Sequence, residues 1–150
     1  MTAGEMKTKY MSVKVSSLIE DLDDAGLAED TEKSEGCYLA AVSAEEGGVR
    51  ICYEERGEGG VVSTEITYTS GVLTVARTGA IENCFTFEEG AESKSLYRIP
   101  PYAFDATIKT KRLRGELTPT GGELSVLYDM TIGGAAKRVR MRITLGEVCK

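Results

Sequence analysis

The chain has 150 residues, 41% hydrophobic and 28% charged, ordinary proportions for one domain with a real core. It carries 18 Lys and Arg against 24 Asp and Glu, a formal net charge of −6, so as a whole it repels nucleic acid and anionic membrane. It has no His, which removes the Ser-His and Cys-His nucleophile pairs, the usual general base near neutral pH and the commonest metal ligand.

Residues 1–9 read as a disordered or tag-like start: the N-terminus is polar and lacks the apolar core of a signal peptide. Met11, Val13 and Val15 then alternate with Ser12 and Lys14. Period two places each apolar set on one face of a strand. Residues 20–35 are acidic and read as a solvated loop or short helix between the first two strands. The best helical window is 17–29, with Leu18, Leu22 and Leu27 loosely spaced, but Asp21, Asp23, Asp24 and Gly26 suit a loop equally.

Alternation resumes at Val49, Ile51 and Tyr53, and again at Val62, Thr64, Ile66 and Tyr68. Residues 72–78 are ambiguous: Leu73, Val75 and Arg77 oppose Val72, Thr74 and Ala76, and both faces are partly apolar. Phe104, Ala106 and Ile108 form one further set, and Leu124, Val126, Tyr128, Met130 and Ile132 another. Val139, Met141, Ile143 and Leu145 stand opposite Arg138, Arg140 and Arg142. Gly-rich turns such as Glu45-Glu46-Gly47-Gly48, Ser70-Gly71 and Gly133-Gly134 separate the runs. One wet face and one buried face per strand is the antiparallel pattern. The expectation is an all-β chain, residues 1–150 forming a single antiparallel up-and-down barrel of about eight to ten strands with little helix.

Several motifs carry a family resemblance. Ala76-Arg77-Thr78-Gly79-Ala80 is followed by Phe85-Thr86-Phe87-Glu88-Glu89-Gly90, then Tyr97-Arg98-Ile99-Pro100-Pro101-Tyr102, Thr110, and Gly122-Glu123-Leu124-Ser125-Val126-Leu127-Tyr128-Asp129-Met130. In this order and spacing they resemble the YwiB-like bacterial family of unknown function. The resemblance spans roughly residues 36–145 and implies a calycin-like barrel, related in shape to lipocalins. The chain departs from the family in having Thr78 where a Ser is usual, and in the basic last strand. The family offers no catalytic residues to transfer.

If Leu73 and Val75 point inward, so does Arg77, and an inward guanidinium is costly unless paired. It would hold a carboxylate or phosphate through its planar fork, or else sit in an internal ion pair or at the rim. Tyr53, Tyr68, Tyr97 and Tyr128 are candidate lining residues, each an apolar body with a hydroxyl that wants a partner. A filled core is the plainer alternative. Lys137, Arg138, Arg140 and Arg142, with Lys109, Lys111, Arg112 and Arg114, would form a basic face if their strands were neighbours. Nucleic acid is disfavoured, since no aromatic residue interleaves with these cations, and cross-strand pairing with acids or simple solvation is the plainer reading.

Glu54-Glu55 and Glu88-Glu89 flank turns and read as solvated. Cys37, Cys52, Cys84 and Cys149 form no C-x-x-C pair and read as reduced thiols of a cytoplasmic protein. No stretch approaches the roughly 20 apolar residues of a transmembrane helix, and no metal or cofactor motif is present. The reading favours non-enzymatic binding of a small ligand in or at the mouth of the barrel, or of a protein partner. Catalysis by Tyr, Lys or carboxylate in the cavity, and an interaction module built on the basic face, are the alternatives. A homodimer is open to it.

Overall fold

Ten strands follow one another: β1 (Lys9–Leu22), β2 (Ala28–Glu45), β3 (Gly48–Gly57), β4 (Gly60–Thr69), β5 (Val72–Gly79), β6 (Asn83–Phe87), β7 (Glu92–Ile99), β8 (Tyr102–Thr118), β9 (Gly121–Ile132) and β10 (Ala135–Gly146). The structure, a computed structural model, describes residues 8–23, 28–57 and 59–147. All strands pair antiparallel in one sheet, ordered β6-β5-β4-β3-β2-β1-β10-β9-β8-β7. No helix occurs among the described residues.

Among the described residues only the β1–β10 pair joins strands distant in sequence, so the first and last strands meet in the middle of the sheet. The two edges approach each other on the far side. Glu82 and Arg98 exchange backbone hydrogen bonds of 2.8 and 2.7 Å, and the Ser93 hydroxyl donates to the Thr86 carbonyl at 2.9 Å. The barrel is thus nearly closed, and neither β6 nor β7 is left as a bare edge.

The turns follow the chemistry expected of them. Thr69 pairs with Val72, leaving Ser70 and Gly71 as a two-residue loop with φ of 49° and 80°. Two positive φ values make a type I′ turn, whose twist matches the flanking strands.

Alternation survives folding. Val13, Val42, Val49, Ile51, Leu73 and Ile108 are fully excluded from water, with Phe87, Leu124 and Ile143 nearly so. The ambiguous β5 is resolved: Leu73 and Val75 are buried, so Arg77 shares their inward face.

The acidic segment is neither loop nor helix where it is described. β1 runs to Leu22 and β2 starts at Ala28, and the two pair along almost their whole length. Its acids are matched by the last strand: Glu20 bonds Arg140 and Asp21 bonds Lys137, both at 2.6 Å. Opposite charges facing each other across a sheet are tolerated where a run of acids alone would be solvated. Lys9 already belongs to β1; residues 1–7 lie outside the described residues.

Candidate functional site

Cross-strand register assembles one row of inward side chains from β3 to β8. Tyr53 pairs with Thr64, Thr64 with Arg77, and Arg77 with Asn83. The Glu82–Arg98 bridge sets Asn83 level with Tyr97, which pairs with Phe104. The row begins buried, at Tyr53, Thr64 and Asn83, and ends at an open lip where Phe104 is 39% and Tyr102 65% exposed. Ile99, paired with Tyr102, adds to this lip.

Glu55 lies above the buried end of the row. Its carboxylate accepts the Tyr38 hydroxyl at 2.8 Å and the Thr64 hydroxyl at 3.2 Å. Tyr38 stacks on Tyr53 at a centroid distance of 4.6 Å. Phe85 stacks on Tyr97 at 6.1 Å, and Phe87 meets Tyr128 at 4.6 Å. Ring pairs at these distances are in attractive contact.

Arg77 belongs to none of the ion pairs among the described residues. Its Nε is buried and has no hydrogen-bond partner among the described residues. Asn83 beside it has both amide atoms in the same condition. The positive charge instead acts on the hydroxyls of Tyr38, Tyr53 and Tyr128. Burial raises all three pKa values against that pull, Tyr128 to about 12, and the Glu55 charge adds to the rise at Tyr53 and Tyr38. At neutral pH they are uncharged donors. The site therefore offers a guanidinium fork, an amide, neutral hydroxyls and aromatic walls. Among the described residues no group of His, Cys, Asp or Glu is arranged to hold a metal.

The structure gathers Arg77, Tyr53, Tyr97 and Tyr128 from the sequence candidates. Tyr68 does not join them: it pairs with Leu73 and Val49, four residues along β4 from Thr64, roughly 13 Å away. Three members were missed. Glu55 was read as a solvated turn residue, yet it shares the parity of Val49, Ile51 and Tyr53. Asn83 shares the parity of Phe85 and Phe87, and Tyr38 that of Ala40 and Val42. Extending each alternation by one step finds all three.

The basic residues are placed differently from the simplest expectation. β8 and β10 are not neighbours; β9 lies between them. Its Asp129 binds Arg138 at 2.9 Å and Lys111 at 3.2 Å, and pairs in register with Lys109. Burial alone would raise the Asp129 pKa, but the bonds and charges of Arg138 and Lys111 outweigh it and hold the carboxyl below its ordinary range. Arg140 and Arg142 lie further along β10, bound to Glu20 and Glu123.

The chain is 26% identical over 123 residues to a protein of Bacillus subtilis (strain 168) described as the uncharacterized beta-barrel protein YwiB, covering 82% of each. The crystal structure of that organism's ywiB protein superposes with a TM-score of 0.82 over 96% of both chains, again at 26% identity. The ten-strand barrel described above is therefore an architecture already observed by experiment in a relative. A family model described as a domain of unknown function, DUF1934, matches residues 6–144. With that match spanning nearly its whole length, the chain belongs to the DUF1934 family.

Proposed function

We propose that this barrel is a non-catalytic binding protein that takes a small amphipathic anion at its mouth. The anionic group, a carboxylate or phosphate, meets the Arg77 fork and the Asn83 amide. The apolar part lies along Tyr97, Phe104, Ile99 and Tyr102. One observation carries the reading: an inward guanidinium that finds no carboxylate partner among the described residues, beside a buried amide whose two polar atoms find none there either. Buried polar groups are normally satisfied, and exceptions ask for an explanation. The exposed apolar lip is the second support, because contiguous apolar surface on a soluble protein marks contact sites.

Binding is favoured over catalysis because the carboxylate at the buried end of the row, Glu55, is engaged by two hydroxyls. A cytoplasmic location suits the free thiols of Cys37, Cys52 and Cys84.

Calorimetric titration with octanoate and with octyl phosphate tests the proposal. The expected result is saturable binding of at least one, weakened about tenfold or more in Arg77→Met. Absence of binding to either, or binding unaffected by Arg77→Met, would overturn it.

A further inference from the structure

The outer face of the barrel carries a second concavity, of about 670 Å³, where β2, β1, β10, β9 and β8 lie side by side. Register orders its lining. One row reads Arg112, Leu127, Arg140, Leu18, Lys33 from β8 to β2. The adjacent row, two residues along each strand, reads Arg114, Ser125, Arg142, Ser16, Glu35. All ten residues line the concavity. The four arginines therefore rise from the corners of a patch roughly 10 by 7 Å at the backbone, two strand spacings by two residues.

The carboxylates that hold these arginines sit outside the lining. Glu89 binds Arg114 at 2.7 Å, Glu20 binds Arg140 at 2.6 Å and Glu123 approaches Arg142 at 3.8 Å. Each guanidinium has five N–H donors, so one carboxylate orients it and leaves donors free. Arg112 and Lys33 enter no ion pair among the described residues. Five cations and one carboxylate, Glu35, which Lys14 binds at 3.5 Å, line the groove of a chain whose net charge is −6.

We infer that this groove is a binding site for a small organic polyphosphate, distinct from the mouth of the barrel. Two or more phosphate groups span the arginine patch and accept from the Ser16 and Ser125 hydroxyls, while Leu18 and Leu127 form the floor under the rest of the molecule. Arg is the residue suited to bidentate phosphate contacts. The volume falls in the range of small-molecule sites, about 300–1,000 Å³. A nucleic-acid chain fits less well: the lining has no aromatic side chain on which bases would stack, and the flanking Glu20, Glu89 and Glu123 repel a polyanion that extends beyond the groove.

Calorimetric titration of the full chain with inorganic tripolyphosphate at low salt tests this, with an oligouridylate as the comparison. The expected result is one saturable site for tripolyphosphate, weakened about tenfold in Arg112→Gln and in Arg140→Gln. Arg112→Gln and Lys33→Gln break no ion pair among the described residues, so loss of binding there reports the groove and not the fold. Arg138→Gln, outside the lining, and Arg77→Met, inside the barrel, are expected to leave it unchanged. Absence of saturable binding, affinity unaltered in Arg112→Gln and Arg140→Gln, or tighter binding of the oligouridylate than of tripolyphosphate would overturn the inference.

Discussion

Arg77 on β5 and Asn83 on β6 stand directly opposite each other on the inner face of the barrel, and neither satisfies the other. A guanidinium and an amide carbonyl in register could have bonded, yet the Arg77 Nε and both Asn83 polar atoms are buried without partners among the described residues. Leaving such groups unmade costs about 1–3 kcal/mol each. The fold bears that cost at one end of its interior while the other end, around Val49, Leu73 and Ile108, is packed with apolar side chains. A polar, underused end and a filled end give the barrel a direction, with the apolar lip of Tyr102 and Phe104 beside the former.

Arg77→Met keeps an unbranched stem as far as the position of Nε and removes the guanidinium and its charge. The expected outcome is an unliganded protein as stable as the parent, or more stable by on the order of 1 kcal/mol. Urea unfolding measures it. A loss of more than about 2 kcal/mol would show that Arg77 serves the fold, and the binding role would lose its main support.

Gly79 ends β5 two residues after Arg77, with φ of 113°. A Cβ there would collide with the Val61 carbonyl oxygen on β4. Gly79→Ala therefore suffers both from its backbone conformation and from close approach, and should cost at least about 1–3 kcal/mol. The melting temperature should fall accordingly. An unchanged one would mean that β5 and β4 separate there without penalty.

Asp129 makes stability depend on acid pH. Its folded pKa lies below the ordinary value of 3.8 because the Arg138 and Lys111 bonds outweigh burial. The contribution is therefore present above that ordinary value and is lost as pH falls through the folded one. Asp129→Asn should be less stable than the parent at neutral pH, by about 0.5–1 kcal/mol for pairs this close to solvent. The difference should close in strong acid. Denaturation curves at several pH values check it, and a gap that persists undiminished below the folded pKa would contradict the assignment.

Tyr128 makes stability depend on alkali with the opposite sign. Burial raises its folded pKa to about 12, and Arg77 only partly offsets this. The unfolded chain ionises first, near pH 10. The contribution is thus complete below about pH 10 and lost as pH climbs through the folded value. Between those limits the parent should lose stability more steeply than Tyr128→Phe, by up to about 1.4 kcal/mol per pH unit. Parallel slopes would place the Tyr128 hydroxyl in water.

Much of this was legible from residue types alone. Period-two runs identify the inward sets of β3, β4, β8, β9 and β10, because pleating is a local property of the strand. The same parity extends to Glu55, which its acidic side chain beside a turn disguised as solvated, while Asn83 lies on the short β6, where no alternation was read. The acidic segment was harder. Glu20 and Asp21 look solvated until Arg140 and Lys137, more than a hundred residues later, are brought beside them. No local pattern contains that pairing.

By itself the sequence determined an all-β chain with defined inner and outer faces, glycine turns and no histidine chemistry. These follow from steric preferences and side-chain types acting over a few residues. The tertiary structure alone decided which strands are neighbours, and neighbours decide what each charge meets. β9 separates the basic strands β8 and β10 and supplies Asp129 to both. The closure of β6 toward β7 aligns Asn83 with Tyr97, in a row that sets Arg77 opposite an amide and a hydroxyl. Strand order and register arise from contacts distant along the chain, where the fit of whole faces, rather than the preference of any residue, selects the pairing.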